Sequence, residues 1–153
     1  MKDEIGNYEI TFTEKPTAAE VGVLTQGLHT HINGIFGESW ARSIAYLLRD
    51  GDGVIVGGAY GSYGSFRWAF VDTLWVADHV RGHGYGSRLL AAFEQEAAKN
   101  HCTDVYLDTF SFQAPEFYKR LGYEIFGELN DFPPGHSRIF LRKSLISATD
   151  TTA

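Results

Sequence analysis

The sequence predicts a mixed α/β fold, with a helical layer on a partly antiparallel sheet. Three observations predict it. Short stretches with apolar residues at every second position interchange with stretches whose apolar residues recur three and four apart. Asp-Gly pairs beside a Val-Ile-Val run, in RDGDGVIVGG (Arg49 to Gly58), are a strong hairpin signal, and a hairpin makes antiparallel strands. The elements follow the order β α β β β α β α β β, which mixes adjoining strands with helical crossovers.

Taken in order, Tyr8 to Phe12 sets Tyr, Ile and Phe against Glu and Thr, the pattern of a half-buried strand that ends before Pro16. Thr17 and Glu20 form a capping-box signature, and Val21, Leu24, Leu28 and Ile32 carry a helix onward from it. Ile35 to Leu48 fits either period, and the hairpin that follows decides for a strand over its second half. WAFVDTLWV, Trp68 to Val76, is a β-prone apolar run and the candidate central strand. Its period of two predicts that Trp68, Phe70, Asp72, Leu74 and Val76 share one face. Leu89, Leu90, Phe93 and Ala97 mark the next helix, ending near Asn100. Val105 to Leu107 begins a strand, Ala114 to Leu121 reads as a short helix stopped by Gly122, and Tyr123 to Phe126 and Ile139 to Leu145 are two further strands.

The chain has 153 residues, 44% hydrophobic and 14% aromatic, which suits one domain over residues 1–146 with a polar, disordered tail at 147–153. Its single cysteine, Cys102, has no partner for a disulfide, so the expectation is a structural thiol in a reducing cytoplasm. No run approaches the roughly 18 apolar residues of a membrane span, and MKDEIGNYEI lacks a signal-peptide core. A soluble, intracellular chain without a membrane partner is expected. The net charge of −6 argues against nucleic acid as a ligand and accommodates a cationic one more easily.

The chemistry concentrates in VADHVRGHGYGSRLL, Val76 to Leu90, where a strand ends, Gly82, Gly84 and Gly86 alternate with His83 and Tyr85, and a helix begins. Such a turn is an anion site: unpaired N–H groups converge, the helix dipole favours negative charge, and glycine lets oxygens reach the backbone. Arg81 adds a positive charge at the rim. Many helices also begin after glycines without binding anything. A P-loop string is absent. A dinucleotide fingerprint would need Gly or Ala at Ser87 after Gly82 and Gly84, or at Leu89 after Gly84 and Gly86, and both fail. What is left is a pyrophosphate loop after a central strand.

Arg81-Gly82-His83-Gly84-Tyr85-Gly86 matches in full the Arg/Gln-x-x-Gly-x-Gly/Ala motif of the GNAT superfamily of acyl-CoA-dependent N-acetyltransferases. Downstream, FYKRLGYEIFG (Phe117 to Gly127) resembles that family's Tyr-x-x-x-Gly-Tyr/Phe helix-to-strand turn. Spacing and order agree over about residues 5 to 145. The resemblance implies a sheet splayed at its central strand, with the pantetheine arm of acetyl-CoA along Leu74, Trp75 and Val76 and the pyrophosphate on the amides of Gly82 through Ser87. It makes acetyl-CoA the co-substrate, with no metal. It also makes Tyr118 the candidate general acid for the departing thiolate, a role that suits a phenol with its pKa of about 10. The alternative for Tyr118 is a core tyrosine that caps a backbone group.

The family often uses a carboxylate or a water near the central strand to take the proton of the amine. Asp72 is the candidate here, its apolar strand-mates raising its pKa; a structural pairing with Arg42 or Arg67 is the other reading. Relatives carry Asn seven residues before the catalytic tyrosine, where this chain has Ser111, so Ser111 or Gln113 stands in for it. His29 with His31, and His79 with His83, lack a third metal ligand. His136, with Glu128 and Asp131, either lines the acceptor pocket or belongs to a Pro-Gly surface turn.

The implied activity is direct transfer of acetyl from acetyl-CoA to an amine in a ternary complex. The surplus of acidic residues, among them Glu38, Glu128, Asp131 and Asp72, favours a small cationic acceptor. Acetylation of a protein N-terminus or lysine, and a non-catalytic acyl-CoA sensor, are the alternatives. A homodimer is the expectation from soluble oligomers in general.

Overall fold

A computed structural model of the chain describes residues 8–146. The tail expected at 147–153 lies outside the described residues. The chain divides between Ser39 and Trp40 into two compact units.

In the first, helix α1 spans Ala18–Phe36. The capping box forms as its residues dictate: Thr17 Oγ1 accepts from the Glu20 N–H at 3.2 Å, and the Glu20 carboxylate accepts from the Thr17 N–H at 2.7 Å. Gly37 ends the helix at φ +80°, its N–H bonded to the Asn33 carbonyl. The strand predicted over Tyr8 to Phe12 does not form. Only Glu9 makes an isolated β-bridge. Ile10 and Phe12 stay more than three-quarters exposed, so the alternation has no buried face to fix a strand.

In the second unit, strands β1 (Ala41–Arg49), β2 (Ile55–Gly64), β3 (Trp68–Val76), β4 (Asp104–Phe110), β5 (Glu124–Asn130) and β6 (Ser137–Ser144) form one open sheet in the order β1-β2-β3-β4-β6-β5. Helix α2 (Tyr85–Lys99) connects β3 to β4, and α3 (Pro115–Arg120) connects β4 to β5. The β3–β4 pair, joined by the α2 crossover, is parallel and every other neighbouring pair is antiparallel, while α3 carries the chain past β6 to the edge strand β5. Asp50 holds the predicted β1–β2 turn, its Oδ1 accepting from the N–H groups of Asp52 and Val54.

The apolar stripe of α2, Leu89, Leu90, Phe93 and Ala97, is buried against Ala59, Tyr63, Ala69, Val71, Val105, Leu107 and Leu141 of the sheet. At about 1.5–3 kcal/mol for each large side chain removed from water, Leu90 and Phe93 are principal anchors of this layer.

One departure from the predicted pattern shapes the molecule. Tyr60 pairs with Thr73 and Gly61 with Val71, leaving Asp72 as the extra residue of a β-bulge. The bulge exchanges the faces of β3. Val71 packs in the core on one side of it, and Leu74 and Val76 pack against the core on the other. Trp68 and Phe70 therefore do not share a face with Leu74 and Val76, as strict alternation requires, and Asp72 is exposed rather than set among apolar neighbours.

Candidate active site

The parallel pairing of β3 with β4 covers only Trp68–Asp104 to Val71–Leu107. Past that point β3 is paired with β2 alone and β4 with β6 alone. The strands part where the bulge falls, as the increased local twist of a bulge favours. A cleft of about 930 Å³ fills the opening, lined by Asp72 to Val76 of β3, Leu107 to Phe110 of β4, the glycine turn, and Phe117 and Tyr118 of α3.

The free edge of β3 is specific about which residues it offers. The Ala77 N–H bonds the Val56 carbonyl, so the register makes Gly57–Val76 and Ala59–Leu74 non-hydrogen-bonded pairs. Leu74 and Val76 therefore turn their N–H and C=O groups toward the opening, whereas those of Trp75 face β2. Arg81 Nε donates to the Val76 carbonyl at 2.8 Å, and its Nη1 pairs with Asp78 at 2.7 Å. Arg81 thus braces the strand end as well as charging the rim.

Gly82 and Gly84 hold φ of +78° and +76°, a backbone region costly for residues with a Cβ. Gly84 is the N-cap of α2 and, without a side chain, caps nothing. The first helical bond runs from the Arg88 N–H to the Gly84 carbonyl, so the N–H groups of Tyr85, Gly86 and Ser87 have no acceptor among the described residues. These donors at a helix N-terminus suit a diphosphate. Gly86 lies under Phe117, where an added Cβ would sit 3.4 Å from the ring.

On α3, Tyr118 turns its phenol into the cleft. The ring packs edge-on against Phe117 and Tyr123, and the hydroxyl bonds no described residue. Burial, and secondly the Asp108 carboxylate, raise its pKa above the usual phenol value. Tyr123 differs. It is buried, its hydroxyl donates to Glu94 Oε1 at 2.8 Å, and Lys143 bonds the other oxygen of Glu94 at 2.8 Å. This network ties the α3–β5 turn to α2 and β6.

The model of the acetyltransferase (GNAT) family matches residues 13–123. The chain belongs to this family of acetyltransferases. It is 40% identical over 94 residues to a blasticidin-S acetyltransferase of Streptomyces morookaense, covering 61% of this chain and 68% of that one. A crystal structure of an acetyltransferase from Bacillus cereus ATCC 14579 superimposes with a TM-score of 0.79 at 34% identity, over 88% of this chain and 97% of that one. An aminoglycoside 6'-N-acetyltransferase complexed with coenzyme A shares the fold, at a TM-score of 0.61 and 23% identity, over 69% of this chain and 74% of that one.

The GNAT cleft gathers most of the residues that the sequence singles out: Asp72, Leu74, Trp75, Val76, Arg81, Gly82, Gly84, Tyr85, Gly86, Ser87, Gln113 and Tyr118. Two lie apart. The ring of His83 folds back, its Nδ1 2.9 Å from the Arg81 carbonyl, and Ser111 Oγ accepts from the Ser137 N–H at 3.0 Å. Gln113 Oε1 accepts from the Thr109 hydroxyl and the Phe110 N–H at 2.9 Å each, which fixes the loop before α3. Asp72 takes its hydrogen bond from Thr73, and Arg67 donates to the His101 carbonyl. His136, Glu128 and Asp131 do not line the cleft; Asp131 accepts from the Gly135 N–H within the β5–β6 turn. Cys102 is buried and its thiol pKa is raised, chiefly by burial. Sequence reasoning missed Asp108, Phe110 and Phe112. The signal available was an acidic residue inside the apolar strand DVYLDTF.

Proposed function

We propose that this acetyltransferase carries acetyl from acetyl-CoA to a small cationic amine by direct attack in a ternary complex. The observation that carries the reading is the unbonded phenol of Tyr118 in the same cleft as the uncapped N-terminus of α2. The pantetheine arm pairs with the open edge of β3 at Leu74 and Val76, and the pyrophosphate rests on the amides of Gly82 through Ser87. The amine nitrogen attacks the thioester carbonyl, and a backbone N–H of the parted strand stabilises the oxyanion. As the carbon–sulfur bond breaks, Tyr118 gives its proton to the thiolate. Asp72, exposed at the bulge, takes the amine proton directly or through a water. Blasticidin S, named in the relative, supports a small acceptor.

Release of CoA is to be assayed with a panel of amines that includes blasticidin S, amino acids and peptides. Turnover with small cationic amines is expected, without acetyl retained on acid-quenched protein. Turnover confined to peptides moves the acceptor to proteins. Tight acetyl-CoA binding without release for any acceptor makes the chain a sensor.

A further inference from the structure

The cleft is lined by residues of both faces of the sheet. Along β4, Val105, Leu107 and Thr109 are buried on the face that α2 covers, so Asp108 and Phe110 point to the opposite face. The glycine turn and α3 are the donor's side, which leaves the far side to the acceptor. Two aromatic rings wall it, Phe110 and Phe112, stacked at 5.2 Å. Between them and the point where the strands part stands one carboxylate, that of Asp108, its side chain only 18% exposed. Arg138 Nε bonds Asp108 Oδ1 at 2.7 Å, a single contact rather than a two-pronged one. The charge of Arg138 is shared with the rings of Phe110, Phe132 and Phe140, 6.0, 5.6 and 5.5 Å away, so that of the two wall rings Phe112 alone has no Arg138 contact among the described residues. Oδ2 receives no hydrogen bond from a described residue and keeps some solvent exposure.

We propose that Asp108 determines acceptor specificity: its free oxygen binds a positively charged group of the acceptor other than the nitrogen that is acetylated, while the Phe110 and Phe112 rings cover the apolar body between the two. The acceptor class is then a compact dication with an apolar or flat middle. This inference rests on the amine-acetyltransferase reading. A partly buried carboxylate with an unmatched oxygen gains from a cation that displaces its water, and aromatic faces favour the same charge.

The test compares two acceptors of equal shape, 1,4-bis(aminomethyl)benzene and 4-ethylbenzylamine, which differ by one ammonium group. For the wild type, kcat/KM is expected to favour the diamine at least about tenfold, well above the twofold due to its second amine. Asp108→Asn is expected to bring the ratio down to about two with acetyl-CoA affinity within about threefold; the ratio is the readout, because the Asp108 carboxylate also acts on Tyr118 and its loss touches both acceptors alike. Arg138→Gln, which keeps the carboxylate and removes its competitor, should retain the preference, and it serves as a second variant whose folding does not depend on Asp108→Asn. A preference that survives Asp108→Asn, whether or not both acceptors fall in parallel, or a preference lost in Arg138→Gln overturns the assignment. Acetyl-CoA binding without acetylation of either probe by the wild type counts against the amine reading itself, and the inference goes with it.

Discussion

Tyr118 and Tyr123 stand with ring centroids 5.9 Å apart, and only Tyr123 gives its hydroxyl to the protein, donating to Glu94 at 2.8 Å. Removing the two hydroxyls should therefore have opposite consequences. Tyr123→Phe leaves a partly buried Glu94 short of one bond and should cost about 1–3 kcal/mol of stability in urea unfolding. Tyr118→Phe removes an unbonded group and should change stability by no more than about 0.5 kcal/mol.

The same pair contributes, with Tyr46 and Cys102, to the loss of stability at alkaline pH. Both phenols have pKa values above the ordinary 10.0, first through burial, then through Asp108 for Tyr118 and Glu94 for Tyr123. Each proton is held more tightly in the folded state, so its contribution is complete below pH about 10 and fades as pH climbs toward the folded value. Urea midpoints from these groups should hold steady below pH about 9.5 and fall above 10. Tyr123→Phe should flatten that fall, and an unchanged slope would exclude Tyr123 as its source.

At the glycine turn the demand is on backbone conformation. A Cβ on Gly84 meets nothing within 4 Å, yet its φ is +76°. Gly84→Ala should cost about 1 kcal/mol of stability and raise the KM for acetyl-CoA about tenfold or more. Gly84→Asn, which tolerates this region better, should be the milder of the two. Equal effects from both would point to lost space rather than strain.

Gly61 faces the bulge from β2, and a Cβ there would run into the Phe70 carbonyl and the Phe93 ring. Gly61→Ala should destabilise by about 1–3 kcal/mol and weaken acetyl-CoA binding, because the bulge is where β3 leaves β4. Isothermal titration on the folded fraction checks the second effect separately from the first.

Periodicity, capping and turn chemistry sufficed for most of the fold. Trp68–Val76 is a strand over the predicted span, and Thr17 and Glu20 cap α1 reciprocally. What they cannot report is a register. Nothing in WAFVDTLWV marks Asp72 as the residue without a partner, because the bulge depends on Gly61 across the ladder. Tyr8 to Phe12 failed for a related reason, since alternation specifies a strand only where one face is buried. The site was legible where contacts are main-chain and tied to glycine spacing. Asp108 was not, since its setting depends on Arg138, thirty residues along the chain and on another strand.

Acetyl transfer in this cleft turns most directly on Tyr118. Steady-state turnover and acetyl-CoA affinity of Tyr118→Phe, measured side by side with an acceptor from the amine panel, separate proton donation from binding. The account predicts kcat lowered about 100-fold, with the Kd for acetyl-CoA unchanged within about twofold. Undiminished kcat, or a Kd that rises in step with the loss of turnover, would contradict it.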